Sequence, residues 1–223
     1  MTSAELFPIW LSLRVALISS CVVAPIGIFI AAVQARSNHP LRVVVDALIH
    51  VPLVLPPSVV GFLLVLLLGR RGPVGSLLER FFDARVVFSP TGAVIASSVV
   101  ALPILVKTLE PALLAVPKDL EDVARTLGLG PIELFFRVSL RAAWRGLVAA
   151  LALAFARAAG EFGATLMLAG NIPGETNTMP LEIFAAYQSG DDPRAFLYVA
   201  VLCALSVVVA VAAARAAPRE AGA

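Results

Sequence analysis

Charge is the scarcest property of this 223-residue sequence, because Asp, Glu, Lys and Arg together make up only 14% of it. An average soluble domain is about a quarter charged. A composition that is 60% hydrophobic, with a mean hydropathy of +0.94, therefore argues against a soluble globular protein. It also argues against disorder, which requires low hydrophobicity and high net charge. Since the net charge is only +2 and there is no lysine-rich tract, we expect no nucleic-acid partner.

Residues that hold metals or perform catalysis are also scarce. The two cysteines, Cys21 and Cys203, lie in apolar runs and should behave as small hydrophobic side chains rather than as a disulfide. No His, Cys, Asp and Glu residues have the spacing of metal ligands, and no nucleophile–base motif is present. His50 follows Asp46 by four residues, which favours a local interface pair over a proton relay. We expect no catalytic residue, no metal and no cofactor on this chain.

Long apolar runs are abundant. A bilayer core of about 30 Å requires about 20 mostly apolar residues in a helix. A cleaved signal peptide is the less favoured interpretation of the first such run, because Glu5 and no lysine precede it and the run is long. Lys and Arg residues favour the side that holds the loop 110–141, which predicts an outside N-terminus and a cytoplasmic C-terminus. The predicted spans are five: 15–33, 48–68, 91–109, 142–168 and 196–214.

The predicted cytoplasmic loop 110–141 has the signals of a folded segment. Asp119 suits a helix N-cap, which predicts a helix over 120–127. Pro131 suits the first turn of a second helix that reaches about Val138. These helices could lie on lipid headgroups or dock a soluble partner in a groove. The second helix carries an apolar surface made of Leu134, Phe135 and Phe136.

Two predicted spans contain residues that interrupt a membrane helix. Prolines 52, 56 and 57 indicate either a kinked packing helix or a broken helix beside a pathway. Arg157 and Glu161 lie four residues apart, and a lone charge at the bilayer centre costs ~2.5–3.5 kcal/mol on insertion scales. They should therefore pair, either to fix helix packing or to line a pathway. Small residues recur in the same span, which predicts close packing within the chain or at a homodimer axis: Ala142, Gly146, Ala150, Ala154 and Ala158.

The segment 122–128, followed by Val138 and Leu140, resembles the EAA loop of ABC importer permeases. That pattern has Glu-Ala-Ala, three residues, Gly, nine residues, Ile, one residue and Leu-Pro, and the spacing from its Gly to its Ile and Leu matches here. The sequence departs from the pattern at Asp122, Val123 and Arg141. In the family this loop forms a coupling helix that sits in a groove of an ATP-binding subunit. The resemblance assigns that role to Glu121, Asp122, Val123, Ala124, Thr126, Leu127, Gly128 and Gly130.

Two further segments narrow the resemblance. The segment 52–61, with 68–75 after it, resembles molybdate permeases, and 160–165 leading into 169–180 is similar to a block that molybdate and sulfate permeases share. The resemblance spans about residues 15–202. It implies one all-α permease domain over 1–223, a polytopic transmembrane bundle of the type I, MetI-like kind with about five spans and cytoplasmic coupling helices. The pathway or gate candidates are Pro56, Pro57, Gly61, Arg157, Gly160, Glu161, Gly163 and Thr165.

The resemblance also implies a function and a set of partners. The chain would be the pore-forming permease subunit of an ATP-driven molybdate importer in the bacterial cytoplasmic (inner) membrane, with tungstate or sulfate/thiosulfate as alternatives. The partners would be a second copy, two ATPase subunits that carry ATP and Mg, and a periplasmic or lipid-anchored molybdate-binding protein on outer loops 69–91 and 169–195. The chain has no P-loop of its own. A membrane-embedded enzyme that uses Glu161, His50 or Asp46 and a passive channel are remote alternatives.

Overall fold

A computed structural model of the chain describes residues 3–37, 39–83 and 85–216, and this part contains helices and no strand. The predicted all-α fold is confirmed. The final segment 217–223, on which the predicted position of the C-terminus depends, lies outside the described residues. The helices are α1 (Ser3–Arg36), α2 (Leu41–Val54), α3 (Pro57–Leu68), α4 (Pro73–Phe82), α5 (Pro90–Leu114), α6 (Lys118–Thr126), α7 (Pro131–Leu134), α8 (Leu140–Ala142), α9 (Trp144–Ala159), α10 (Gly163–Ala169), α11 (Met179–Ser189) and α12 (Asp192–Ala216).

Three helices are each long and apolar enough to cross a membrane: α1, α5 and α12. The predicted spans 15–33, 91–109 and 196–214 lie inside them. Two sharply bent helix pairs also pass the test of length and composition, so the described part has three candidate spans, or up to five if each pair counts as one. The count of five stays a prediction.

The predicted span 48–68 is not one helix. α2 and α3 meet at an angle of 111°, and the backbone between them is extended at Leu55 and Pro56. The residue before a proline is pushed out of the helical region by the proline ring. Because Leu55 precedes Pro56 and Pro56 precedes Pro57, two consecutive residues are excluded from the helix, and a bend rather than a kink results. Of the two interpretations of these prolines, the broken helix is the one observed.

The predicted span 142–168 is divided as well. α9 ends at Ala159, residues 160–162 leave the helical path, and α10 starts at Gly163. On its N-terminal side α9 meets the preceding helical segment, Pro131–Ala142, at 79°. Its 16 residues are about 24 Å long at 1.5 Å per residue, which is shorter than a bilayer core of about 30 Å. α9 alone is therefore too short to cross a bilayer core, and backbone groups freed at a break in a membrane span need protein partners.

The main core lies where α1, α5 and α9 pack together, and it is built largely from alanine. A Cβ on Gly146 would lie 2.2 Å from Cβ of Ala112, so α5 and α9 approach as closely as their backbones allow. Ala150, Ala154 and Ala158 continue the same buried face. The stripe of small residues therefore serves packing within the chain along this length, rather than a homodimer axis, and only Ala142 at its start is exposed.

Candidate functional site

Helices α6 and α7 form a pair outside the core of α1, α5 and α9. The turn 127–130 between them sets their arrangement. α6 begins at Lys118 after an extended Pro117 and makes no side-chain cap, so the prediction of Asp119 as N-cap is wrong and that residue lies inside the first turn. Gly128 has φ +87° and nothing within 4 Å of a built Cβ, so backbone conformation alone requires glycine there. Pro131 is the first residue of α7, as predicted, and Gly130 precedes it with extended backbone.

The helix pair and the π-helical turn Phe135–Ser139 that follows it expose a surface of large apolar side chains. Among the predicted coupling residues, Asp122, Thr126, Gly128 and Gly130 are exposed with it, whereas Ala124 is buried. Large exposed apolar side chains beside the charged residues of α6 form a candidate interaction surface. We refer to this surface as the helix-pair face, and it consists of Leu120, Val123, Leu127, Ile132 and Phe136.

The opposite side of α6 is tied to the membrane-type core by Glu121. Its carboxylate accepts a hydrogen bond from the guanidinium of Arg36 and another, 2.6 Å long, from the hydroxyl of Ser139. Burial alone would raise the pKa of Glu121, but the hydrogen bond from Ser139 and the charge of Arg36 outweigh it, so the pKa lies below its usual value. The carboxylate therefore stays ionised at neutral pH.

A charged network joins α2 to α5. Asp46 accepts a hydrogen bond from the ammonium of Lys107, and His50 lies 3.4 Å from the same carboxylate. Glu110, which is 6% exposed, binds Arg42 at 2.6 Å and lies 3.5 Å from Lys107. The favoured interpretation of Asp46 and His50 as an interface pair agrees with this arrangement. Sequence reasoning missed the contacts between the two helices because Lys107 is 61 residues from Asp46 and Glu110 is 68 residues from Arg42.

Two pathway candidates form an ion pair at the break after α9. Arg157 binds Oε2 of Glu161 at 2.7 Å, and Oε1 of the same carboxylate accepts a 2.7 Å hydrogen bond from the amide of Ala164. Glu161 thus caps the start of α10 with one oxygen and neutralises Arg157 with the other. Its side chain is 1% exposed, whereas that of Arg157 is 30% exposed. The buried carboxylate is thus paired with an arginine side chain that is partly exposed.

Three other candidates form a tight crossing of α3 and α10. A Cβ on Gly61 would lie 2.7–2.9 Å from three atoms of Met167 and Ala164. A Cβ on Gly163 would lie 3.0 Å from Cβ of Pro57. Pro56 is exposed at the bend, Gly160 is exposed at the end of α9, and Thr165 is buried. Pro57, Gly61 and Gly163 therefore lie together in the packing contact between α3 and α10. They have a packing role, unlike the ion pair.

The two predicted outer loops, 69–91 and 169–195, differ in structure. Residues 170–178 are held by their own polar side chains: Asn177 accepts from the amide of Gly174 at 3.0 Å and donates to Glu182 at 3.0 Å. Glu182 also binds Arg194 at 2.6 Å. The other segment is open, with a cavity of about 340 Å³ between α3, α4 and 85–88. Arg70 and Arg85 at the rim of that cavity share Glu79.

The chain is similar to known transport proteins over most of its length. The family described as "Binding-protein-dependent transport system inner membrane component" matches residues 24–221. The "Molybdenum transport system permease protein ModB" of Escherichia coli (strain K12) is 40% identical over 210 residues, covering 94% of this chain and 90% of that protein. The "Probable sulfate transport system permease protein cysT" of Mesostigma viride is 35% identical over 211 residues, covering 95% and 78%.

The fold also has a solved counterpart. A chain of the MetNI methionine ABC transporter, solved in inward-facing conformations, superposes with a TM-score of 0.72 over 96% of this chain and 97% of that one. The sequence identity in that superposition is 17%, so the likeness is one of fold. The expectation of a MetI-like helical bundle is confirmed by it.

Proposed function

The chain belongs to the family of inner membrane components of binding-protein-dependent transport systems, and we propose that it is the pathway-forming subunit of an ATP-driven importer for molybdate. Membership makes it a multi-pass inner-membrane transporter subunit. The observation that supports molybdate is the 40% identity to a molybdenum permease across 90% of that protein's length. Tungstate, a chemically similar oxyanion, is an alternative within the same proposal.

We propose that two copies of the chain enclose the pathway. The 30% exposure of the Arg157 side chain supports this arrangement, since an exposed charge at membrane depth is stable where it faces a water-filled pathway rather than lipid. Because Glu161 neutralises much of the positive charge of Arg157, the guanidinium would attract a dianion only weakly. A weak contact suits a pathway, because a tight site would slow release. Pro56, Gly160 and Thr165 stay candidates for the lining.

We propose that the helix-pair face docks a separate ATPase subunit, which carries ATP and Mg. Its exposed apolar residues fit the mode in which a helix lays an apolar face into a groove. Lying on lipid headgroups is the competing interpretation, and the contacts of Glu121 with Arg36 disfavour it by holding α6 against the core. In this orientation the N-terminus is outside and the C-terminus cytoplasmic.

On the opposite side, we propose that a periplasmic or lipid-anchored binding protein delivers the oxyanion to the outer mouth. The cavity beside Arg70 and Arg85 supports a contact there, because both guanidinium groups are about 70% exposed and the rim is open. The buried polar contacts of 170–178 support a rigid second side of the mouth. Substrate selection would then rest mainly with the binding protein.

The test is uptake of labelled molybdate into liposomes that contain the chain with its ATPase, with binding protein outside and ATP inside. We expect ATP-dependent uptake that excess tungstate reduces and excess sulfate leaves unchanged. Sulfate uptake without molybdate uptake would support the second candidate, which the relative at 35% identity favours. Uptake that continues without the ATPase would contradict the importer proposal and favour a channel.

A further inference from the structure

Arg36 ends the membrane helix α1, and its guanidinium reaches two elements far along the chain. It donates to the carboxylate of Glu121 in α6 and, at 2.7 Å, to the hydroxyl of Ser139. Ser139 in turn donates to Glu121 at 2.6 Å. The three side chains therefore form a closed triangle that joins a membrane helix, the helix of the helix-pair face and the segment that leads into α9.

The triangle is shielded from water on the side of Ser139 and Glu121, whereas the side chain of Arg36 is 34% exposed. Ser139 is 0% exposed, and the side chain of Glu121 is 12% exposed. The guanidinium of Arg36 also lies 5.6 Å from the ring centre of Phe135, within the range of a cation–π contact. Breaking a shielded ion pair by removing one partner is costly because the other charge is left uncompensated. α6 is thus fastened to α1 rather than merely adjacent to it.

The backbone that carries Ser139 is irregular, and this irregularity directs the Ser139 side chain toward Arg36 and Glu121. Residues Phe135–Ser139 form a π-helical turn between α7 and α8. Such turns occur frequently at functional sites because the extra residue rotates the following side chains. Here the turn ends on Ser139 and carries Phe135, the two residues that contact Arg36. Phe135 and Ser139 therefore contact the guanidinium of Arg36 from one turn.

The neighbouring acidic residue has a different environment. Asp122 is 64% exposed, and its ion pair is with Arg125, three residues on in its own helix. Such exposed pairs within one helix contribute little and transmit nothing between elements. Asp122 occupies the position of the glutamate in the EAA pattern, yet Glu121 makes the contact with the membrane helix.

We propose that Arg36, Glu121 and Ser139 form a mechanical link that carries movement of α6 into membrane helix α1. This inference rests on the proposed function, since it requires an ATPase on the helix-pair face. Arg36 is a positioning residue that acts through Glu121 and contacts neither the ATPase nor the oxyanion. When the ATPase subunits shift α6, the link makes α1 follow. Without the link, α6 moves while α1 stays, and ATP is hydrolysed without transport.

The experiment measures the number of oxyanions imported per ATP hydrolysed, together with the ATPase retained when the chain is purified. The variants are Arg36→Gln, Ser139→Ala and Glu121→Gln, and the control is Glu133→Gln, an exposed acid whose ion pair with Arg137 lies within its own segment. For the first three we expect the ratio to fall at least about fivefold, the lower end of coupling between sites, with ATPase retention unchanged. Arg36→Lys should recover part of the ratio because it restores the charge without the planar fork.

The outcomes separate this inference from the proposed function. An unaltered ratio in Arg36→Gln, or an equal fall in Glu133→Gln, would overturn the link. A loss of ATPase retention parallel to the loss of transport would assign the triangle to docking and also overturn it. If Arg36→Gln fails to accumulate in the membrane, Ser139→Ala decides, and failure of both would assign a folding role instead. If the wild-type complex shows no ATP-driven import of any oxyanion, the proposed function itself fails.

Discussion

A single methyl group at Gly61 should separate α3 from α10. The Cβ of Gly61→Ala would lie 2.7 Å from Cβ of Met167, 2.8 Å from Cα of Ala164 and 2.9 Å from its carbonyl oxygen. Two of the three atoms are main-chain atoms of the helix that follows the break, so rotation of a side chain cannot relieve the contact. The helices must move apart, and overpacking of this kind costs about 1–3 kcal/mol.

The matched control for that change is Gly160→Ala. Gly160 is also one of the pathway or gate candidates, has a negative φ of −92°, and an added Cβ would lie 3.6 Å from its nearest atom. That distance is ordinary van der Waals contact. The added methyl group at this position should therefore change the free energy of unfolding by only a few tenths of a kcal/mol, whereas the same methyl at Gly61 should not be tolerated.

The assay is thermal unfolding of the purified chain in detergent, followed by uptake in liposomes. For a protein of this size, about 1–3 kcal/mol corresponds to a fall in Tm of roughly 2–12 °C. Gly61→Ala should show this fall, and Gly160→Ala should melt within about 1 °C of wild type. The reasoning is refuted if Gly61→Ala melts like wild type, because then α3 and α10 do not cross in contact at these residues.

Three further outcomes follow from the site geometry. Glu161→Gln keeps an oxygen for the amide of Ala164 but leaves Arg157 unpaired, so molybdate retention in the membrane should rise while turnover falls; unchanged uptake kinetics would contradict the pathway role. Leu127→Asp should reduce ATPase retention at least about tenfold by placing a charge on an apolar docking face, whereas Glu133→Gln should keep the ATPase. Because the pKa of Glu121 is lowered, its contribution to stability is present above the usual glutamate value of 4.5 and is lost as pH falls through the lowered pKa. Import per ATP should therefore be constant from about pH 6 to about pH 8, and a step in that range would show that Glu121 titrates there.

The sequence was sufficient wherever the determining physics is local. Apolar runs located the three continuous membrane helices, because hydropathy depends on neighbours within about 20 residues. Consecutive prolines at 56 and 57 and the glycine at 128 are also local signals, since proline and glycine restrict or free the backbone at their own positions. The divided span 142–168 was the partial failure. Its interrupting residues were visible, but a continuous apolar composition outweighed them.

The sequence was insufficient wherever a contact joins two side chains that lie far apart along the chain. Asp122 fits the family pattern better than Glu121 by position, and nothing in the local sequence distinguishes two adjacent acids on a helix. The distinction arises only when α1 ends beside α6 and places Arg36, 85 residues away, against one of them. The carboxylate that meets this guanidinium is held by a buried hydroxyl as well, while the other faces solvent. The packing of α1 therefore decides which acid contacts the membrane helix, and the spacing of the motif, which assigned both Glu121 and Asp122 to the coupling loop, does not distinguish them.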